Sequence, residues 1–334
     1  MTPRTAIITG AAGFIGSHMV DLLLEREYVV RGIDNLAGGR IQNLDRHKSD
    51  PGFSLEIADL RALSPDHAVF RDADIVIHFA GIGDIVPSIE RPIDYMSANV
   101  MGTVHALEGA RAAGAKKFVY AASSSCYGIA AGLPTTENAA IQPEYPYALS
   151  KYLGEQSVLH WGRVYKIPVT SIRIFNAYGP RSRTSGAYGA VFGVFLAQKL
   201  AGRPFTVVGD GTQRRDFVFV TDVARAFLMA AESDRNGDIY NLGANNPQSV
   251  NRLVELLEGE VVHIPRRPGE PDCTWADISK IRRDLGWEPL VSFEEGVRAM
   301  LANIQYWRNA PVWDEESIKA ATGSWFAALS ESNR

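Results

Sequence analysis

The stretch TAIITGAAGFIGSHMV, residues 5–20, decides the fold of this chain. Its first residues are mostly apolar or β-branched, which predicts a buried strand, and the residues after the glycines predict a helix. Gly10, Gly13 and Gly16 lie at the turn between the two. Glycines at this spacing let the backbone approach a pyrophosphate at the start of a helix, although any tight strand-to-helix turn also needs small residues. The candidate dinucleotide-binding loop comprises these glycines with Phe14 and Ile15.

Outward from this loop, short apolar runs alternate with helical patterns. Such alternation predicts an α/β protein with a Rossmann-type, doubly wound parallel sheet. The predicted strands are Thr5–Thr9, Val29–Asp34, Phe53–Ile57, Asp74–Phe79, Lys117–Ala121 and Val169–Ile174, and the predicted helices include Ile15–Arg26 and Ile93–Ala113.

The second half of the chain is less regular, with loops rich in Gly, Pro and Arg at 178–189, 209–215 and 265–271. Such loops are typical of a small lid that grips a ligand, rather than of another sheet. A strand at Asp238–Leu242 is expected to rejoin the main sheet, so the two domains would interleave. We expect a dinucleotide-binding domain of residues 1–176 plus about 213–244, a smaller α/β substrate domain of about 177–212 plus 245–310, and a tail, 311–334, without an assigned role.

The composition excludes several classes of function. The 334 residues carry a net charge of −4, and 46% are hydrophobic, so no basic excess indicates nucleic acid or an anionic membrane as a partner. The 2 cysteines, Cys126 and Cys273, match neither a disulfide framework nor a zinc site, and we predict no metal. Without a leader or a long apolar segment, we expect a cytoplasmic enzyme.

Polar and small residues follow the other predicted strands. Asp34 ends the second strand, where a carboxylate can accept hydrogen bonds from the adenosine ribose and repel a 2′-phosphate, which favours NAD over NADP. A turn residue is the alternative role. Asp59 follows the third strand and is expected near the adenine. After the fourth strand, the small side chains of the segment Phe79-Ala80-Gly81 leave room for the cofactor.

Tyr147 and Lys151 are expected on one face of a helix that begins near Pro146. A lysine ammonium beside a phenol favours the phenolate, and the positive nicotinamide ring would add to this, giving a general base near neutral pH. An incidental Tyr/Lys pair is the alternative. Ser123, after the fifth strand, is placed to hydrogen-bond the reacting oxygen.

With these motifs the chain resembles the extended short-chain dehydrogenase/reductase family, close to the UDP-glucose and UDP-glucuronate 4-epimerases. The resemblance covers residues 5 to about 300. It implies that Tyr147 is the base, that Lys151 binds the nicotinamide ribose and that Ser123 is the hydroxyl partner. It adds Asn35, Leu60 and Asn99 to the cofactor site, and it implies a nucleotide-sugar site that contains Asn176, Val208, Arg215, Arg267 and Glu270.

The resemblance also bears on the reaction. In related 4,6-dehydratases and decarboxylases, acidic residues occupy the positions of Ser124 or Ser125. In related 3,5-epimerases, a cysteine lies two residues before the tyrosine that matches Tyr127, whereas Cys126 lies one residue before it. The preferred expectation is therefore 4-epimerisation, with those three reactions as alternatives. A non-catalytic dinucleotide-sensing regulator is an alternative of another class.

Two further expectations rest on the resemblance. Thr274 suggests room for a sugar larger than glucose, and Arg183, with Ser124 and Ser125, suggests an anchor for the carboxylate of a UDP-hexuronic acid, although Arg183 would equally suit diphosphate or solvent. Family members usually pair two helices in a homodimer, here about Ile93–Ala113 and Tyr147–Tyr165. The first carries Met96, Val100, Val104 and Leu107 at helical spacing, which would equally suit core packing.

Overall fold

Strands and helices alternate through residues 3–182, 190–266 and 268–329, which the computed structural model describes. The strands are, in chain order, β1 (Thr5–Thr9), β2 (Val29–Asp34), β3 (Phe53–Ile57), β4 (Ile75–His78), β5 (Lys117–Ser123), β6 (Val169–Ile174), β7 (Asn176–Tyr178), β8 (Phe205–Val208), β9 (Arg214–Arg215), β10 (Phe217–Phe219), β11 (Asp238–Leu242), β12 (Gln248–Ser249) and β13 (Val261–Ile264). The helices are α1 (Phe14–Glu25), α2 (Pro92–Tyr95), α3 (Gly102–Ala113), α4 (Pro146–Tyr165), α5 (Val191–Leu200), α6 (Val220–Glu232), α7 (Val250–Leu257), α8 (Ser279–Leu285), α9 (Phe293–Ala302) and α10 (Glu315–Leu329).

A 7-stranded sheet in the order β11-β6-β5-β4-β1-β2-β3 forms the centre of the fold. Every neighbouring pair of its strands is parallel. The strand order reverses between β1 and β4, where Thr9 pairs with both Ile33 and His78. In open parallel sheets, ligands bind at such a reversal, outside the carboxyl ends of the strands. The predicted Rossmann-type sheet is confirmed, including the return of β11 to the edge of the sheet beside β6.

Hydrophobic helices cover both faces of this sheet. On one face, α1 and α6 bury residues such as Met19, Leu23 and Phe227 against the strands. On the other, α3 and α4 bury residues such as Leu107 and Val158. The long apolar strands therefore read as continuous hydrophobic runs because both of their faces are covered.

Several element boundaries differ from the predicted ones, and helix α1 is displaced by one residue, to Phe14–Glu25 from the predicted Ile15–Arg26. Strand β5 continues to Ser123, which pairs with Ile174 of β6, so the serine ends a strand. Strand β4 is shorter than predicted and ends at His78. The predicted helix Ile93–Ala113 is interrupted by a π-helical turn, Met96–Met101, between α2 and α3.

Short strand pairs lie in the second half of the chain, where we expected lid loops within a smaller α/β domain rather than another sheet, and the expectation of no further sheet was wrong. Strand β8 pairs with β13, β7 with β10, and β9 with β12. The β8–β13 and β7–β10 pairs bury aromatic and β-branched residues, among them Phe205 and Val207, in a second core with α5, α7 and α9. The exact boundaries of the two interleaved domains stay a prediction.

Within the described residues, no helix has the length and hydrophobicity that spanning a bilayer requires. In the same ranges, no group of three or more His, Cys, Asp and Glu side chains is arranged to hold a metal ion.

Candidate active site

The glycine loop between β1 and α1 is too tight for side chains. Gly10 has a φ of +70°, and a Cβ there would lie 2.9 Å from the backbone nitrogen of Ala80. A Cβ on Gly16 would lie 2.0 Å from the carbonyl oxygen of Gly10. Helix α1 begins at Phe14, and its N-cap residue, Gly13, provides no side-chain cap for the first amides. The loop therefore fits a dinucleotide pyrophosphate, whose oxygens such amides bind.

Asp34 lies at the carboxyl end of β2, beside this loop. Its side chain is buried, and its two oxygens accept hydrogen bonds from the backbone nitrogens of Ala12 (2.9 Å) and Leu36 (2.7 Å). Burial raises the pKa of the Asp34 carboxyl, while these amide bonds oppose the rise. A carboxylate fixed in this way keeps free lone pairs for ribose hydroxyls.

Asp59 lies at the same edge but is more strongly engaged than we expected. Arg61 donates two hydrogen bonds to the Asp59 carboxylate in a bidentate pair, with Nε 2.9 Å from Oδ1 and Nη2 2.6 Å from Oδ2. These bonds hold the pKa of Asp59 well below its usual range. The amide of Asn35 donates to Asp59 at 3.3 Å, so the structure brings these two predicted cofactor residues together.

The remaining cofactor candidates line the end of β4 and its neighbours. Gly81 has a φ of +157°, and a Cβ there would lie 2.6 Å from Oδ1 of Asn99. The amide of Asn99 donates to Ser150 at 2.9 Å, and Ser150 donates to the carbonyl of Tyr147 at 2.8 Å. Asn99 thus connects the segment after β4 to the first turn of α4. The other predicted contacts are packed more conventionally: Ala80 donates its backbone N–H to Thr9, Phe79 packs on Phe227, and Leu60 and Ile15 contribute to the hydrophobic cores.

Ser123 and Tyr147 are brought together, because β5 and the start of α4 meet at the edge of the sheet. Burial raises the pKa of the Tyr147 phenol, and a hydrogen bond from Ser123 lowers it. Ser123 also contacts Ser125, with 2.8 Å between their hydroxyl oxygens. The hydroxyls of Ser123 and Tyr147, both expected to contact the reacting oxygen, therefore lie close together.

Lys151 packs against a tyrosine of β5. Its side-chain nitrogen lies 4.5 Å from the ring centroid of Tyr120. Burial lowers the pKa of Lys151 to about 7, although the charge of Glu155 opposes this. That Lys151 lowers the pKa of Tyr147 stays a prediction for the complete site, in which the nicotinamide ring adds its positive charge.

Two residues of the site were not predicted. Tyr145 is stacked on Tyr147, with 6.4 Å between the ring centroids. A hydrogen bond from Ser125 acts on the Tyr145 hydroxyl, whose pKa burial raises. Asp84, in the segment after β4, raises the pKa of Tyr147 by its charge.

Of the predicted substrate residues that the structure describes, Arg215, Glu270 and Ser125 lie around Tyr145. Arg215 and Glu270 face each other, with 3.7 Å between Nη2 and Oε2, and the charges of both act on Tyr145. Asn176 accepts a hydrogen bond from the Thr274 hydroxyl at 2.8 Å. Ser124 begins the short helical turn Ser124–Tyr127, and Val208 ends β8, where its carbonyl accepts from Gln213. Arg183 and Arg267 lie outside the described residues.

Cys126 points away from this chemistry. It is 2% exposed, and burial raises the pKa of its thiol to about 12. A buried neutral thiol packs as a small apolar group.

Comparison with known proteins places the whole arrangement in one family. Residues 6–243 match the model of the NAD-dependent epimerase/dehydratase family. A putative UDP-glucose 4-epimerase of Methanocaldococcus jannaschii is 37% identical, over 88% of this chain and 96% of that protein. The crystal structure of UDP-glucuronic acid 4-epimerase from Bacillus cereus in complex with UDP-glucuronic acid and NAD has a TM-score of 0.84 and 31% identity, over 90% of this chain and 99% of that chain.

The reactions of these relatives differ. A UDP-N-acetyl-α-D-glucosaminuronate decarboxylase of Bacillus cytotoxicus is 29% identical, over 91% of this chain and 98% of that protein. The net reaction therefore varies among relatives of similar identity to this chain. The chain belongs to the NAD-dependent epimerase/dehydratase family of nucleotide-sugar enzymes.

Proposed function

We propose that this enzyme is a nucleotide-sugar 4-epimerase that acts on a UDP-hexose or a UDP-hexuronic acid. The observation that carries the proposal is the Ser123–Tyr147 pair at the edge of the sheet, with serines at positions 124 and 125. This pair suffices to move one proton to and from a sugar hydroxyl. A serine is a poor acid or base near neutral pH, so the turn after β5 offers no second group for elimination or decarboxylation.

In the proposed reaction, the Tyr147 phenolate accepts the proton of the sugar 4-hydroxyl and later returns it to the C4 oxygen. Ser123 donates a hydrogen bond that stabilises the negative oxygen in both directions. When bound, NAD supplies a reversible acceptor for the hydrogen and electron pair on C4. The glycine loop and Asp34 would hold that cofactor, and Lys151 would hold its nicotinamide ribose.

The nucleotide would be held on the other side of the site. Arg215 and Arg267 would bind the diphosphate, because guanidinium groups match phosphate oxygens, and Asn176 would donate to the same group. Glu270 would accept from a ribose hydroxyl. In the described structure Glu270 already faces Arg215, so one ribosyl diphosphate would satisfy both charges.

The direct test is turnover of UDP-, GDP-, dTDP- and CDP-sugars in D₂O, with products identified by NMR. A 4-epimerase returns the hydrogen of C4 to C4, so the product should carry no carbon-bound deuterium. Dehydration, decarboxylation and 3,5-epimerisation each take a carbon-bound proton from solvent and should introduce deuterium. Absence of turnover on every sugar would favour the dinucleotide-sensing regulator instead.

A second candidate reaction rests on Asp84. The backbone carbonyl of Asp84 accepts a hydrogen bond from Tyr95, whose ring centroid lies 6.4 Å from that of Tyr147, and the charge of Asp84 raises the pKa of Tyr147. Asp84 therefore lies on a segment beside the proposed base, different from the segment that carries the acids of the related dehydratases. If Asp84 transfers a proton to or from carbon, the enzyme is a dehydratase or a decarboxylase. Deuterium in the product of the wild type, lost in Asp84→Asn, would favour this candidate.

Replacement of Asp34 by Ala should release the cofactor. The carboxylate fixes the glycine loop through Ala12 and would accept from the adenosine ribose, and a charge-assisted hydrogen bond contributes about 1.5–3 kcal/mol. We expect the Kd for NAD to rise at least about tenfold and the discrimination against NADP to fall. Cofactor content after purification and titration calorimetry measure both effects. Asp34→Asn, which keeps the shape, is the control, and an unchanged Kd for NAD in Asp34→Ala would remove Asp34 from the site.

A preference for UDP-hexuronic acid is the finer proposal for the substrate. It rests on Ser124 and Ser125 beside the base, and on Arg183 as the cation for the C6 carboxylate. We expect Arg183→Ala to raise the KM for UDP-glucuronate about tenfold more than that for UDP-glucose or UDP-N-acetylglucosamine, since one charge-assisted contact is lost only with the uronate. Steady-state kinetics with the three sugars decide it, and an equal loss on all three would assign Arg183 to the diphosphate.

A homodimer is the proposed assembly. Leu107 is buried core, but Met101, Leu149 and Leu153 are 50%, 37% and 38% exposed. Leu149 and Leu153 share one face of α4, which suits a two-fold helix pair. We expect the wild type to sediment as a dimer and Leu153→Arg to shift it toward monomer. Val312→Arg, at an apolar residue 46% exposed on the tail, is the control that should stay dimeric. A monomeric wild type at micromolar concentration would contradict the proposal.

A further inference from the structure

The C-terminal helix α10 lies outside the matched family region, 6–243, and reaches the edge of the candidate active site. Its residue Trp325 is 2% exposed, and the centroid of its ring system lies 4.9 Å from that of Tyr145. The indole Nε1 of Trp325 donates a hydrogen bond to the carbonyl of Pro268, at 2.9 Å. One side chain therefore contacts both the neighbour of the proposed base and the loop that leads to Glu270.

Helix α10 is fixed at several places along its length. Ile318, near its start, is buried in the second hydrophobic core. The Ser324 hydroxyl donates to Glu90 at 2.7 Å, and Leu329 packs with Val86 in a small cluster that also contains Trp325. The helix thus connects the second core to the segment after β4. These contacts on both sides of Trp325 fix its position beside Tyr145.

Both partners of Trp325 face the substrate side of the site. Tyr145 stacks on Tyr147, and its hydroxyl pKa is affected by the charges of Glu270 and Arg215 and by the neighbouring Ser125. Pro268 lies two residues before Glu270, the proposed ribose contact. A shift of Trp325 would therefore move the wall beside the base and the nucleotide loop together.

We propose that Trp325 is a positioning residue that sets the affinity of the enzyme for its nucleotide sugar. It does so by fixing the loop at Pro268 through the indole N–H and the ring of Tyr145 through packing. This inference rests on the proposed function, since it concerns the same nucleotide-sugar site. It gives the tail of the chain a role in substrate binding, which the sequence alone did not assign.

Two substitutions separate the two contacts of Trp325. Trp325→Phe keeps an aromatic ring against Tyr145 and removes the donor to Pro268. The loss of one hydrogen bond predicts a KM for the nucleotide sugar raised roughly three- to tenfold, with kcat nearly unchanged. Trp325→Leu removes the ring as well, so we expect the same rise in KM and a further fall of about tenfold in kcat, because the aromatic wall beside the base loses its support.

Hydrogen–deuterium exchange of the unliganded enzyme tests the contact without reference to turnover. We expect faster amide exchange in the 268–272 segment of Trp325→Phe, where Gly269, Glu270 and Asp272 carry the amide hydrogens, and unchanged exchange in the central sheet. Lys319→Ala, at an exposed position of the same helix, is the control and should change neither the exchange nor the kinetics.

The outcomes are distinguishable. A fall in kcat and in melting temperature with an unchanged KM would show that Trp325 only stabilises the fold and would overturn the proposal. Unchanged exchange at 268–272 in Trp325→Phe would also overturn it. If the wild type turns over no nucleotide sugar, the proposed function fails, and the exchange experiment still decides whether Trp325 fixes the loop.

Discussion

Tyr147→Phe should slow turnover by about 10²–10⁴-fold, the usual contribution of a general acid–base group. The substitution removes the phenol oxygen that would take the proton of the sugar hydroxyl, and it keeps the ring that stacks on Tyr145. Binding of NAD and of UDP should therefore persist, which separates a loss of chemistry from a loss of folding. Steady-state kinetics, together with calorimetric titration of UDP, measure the two quantities on the same preparation.

Tyr145→Phe is a matched control for this prediction, because the two tyrosines lie side by side and only one is proposed to move a proton. We expect Tyr145→Phe to reduce kcat less than about tenfold, the loss of one neutral hydrogen bond with Ser125. Near-normal turnover in Tyr147→Phe, or equal losses in both variants, would remove Tyr147 from the proposed mechanism.

Burial sets the protonation of Tyr147 in the unliganded enzyme. Burial lowers the pKa of Lys151 to about 7 and raises the pKa of Tyr147, so Tyr147 is a neutral phenol at neutral pH. We therefore expect the Tyr147 phenolate to form only in the complete site, where the positive charge of the bound cofactor favours it.

The sequence was sufficient for the fold and for the positions of the glycine loop and of Asp34 in it, because those features depend on local patterns. The glycines of the β1–α1 turn and Asp34 at the end of β2 follow directly from strand-helix alternation. Parallel pairing then brings Ser123 and Tyr147 to the same edge. Each of these residues ends or begins an element whose position the pattern determines.

The parts that the sequence did not predict depend on contacts between distant segments. The position of Lys151 over Tyr120 results from packing between α4 and β5, and no local spacing indicates it. The contact of Trp325 with Tyr145 joins residues 180 positions apart, one in α10 and the other at the start of α4. The short strands β8 and β13 were missed because each gains its stability from the second core rather than from a long alternating pattern.

The largest effect on stability is expected from a buried ion pair that contacts the short helical turn Ser124–Tyr127. The guanidinium of Arg173 and the carboxylate of Glu155 are 3% and 1% exposed, with 2.6 Å between Nη2 and Oε1. Burial alone would lower the pKa of Arg173, but the hydrogen bonds and charge of Glu155 raise it above its usual value. Arg173 also donates to the hydroxyl of Tyr127 at 2.7 Å, and Tyr127 ends the turn that carries Ser124. The pair therefore supports the wall of the substrate site as well as the sheet.

Glu155→Ala should destabilise the fold by about 3–5 kcal/mol, because it leaves the Arg173 guanidinium buried without its counter-ion. The double variant Glu155→Met/Arg173→Met removes both charges and should recover much of that loss, since well-packed apolar groups replace a pair whose desolvation is costly. Urea unfolding measures both free energies. Glu255→Ala, in an exposed pair with Arg252, is the control and should leave the unfolding midpoint unchanged. A Glu155→Ala variant as stable as the wild type would show that water or another acceptor replaces the carboxylate, and that the pair does not hold the turn.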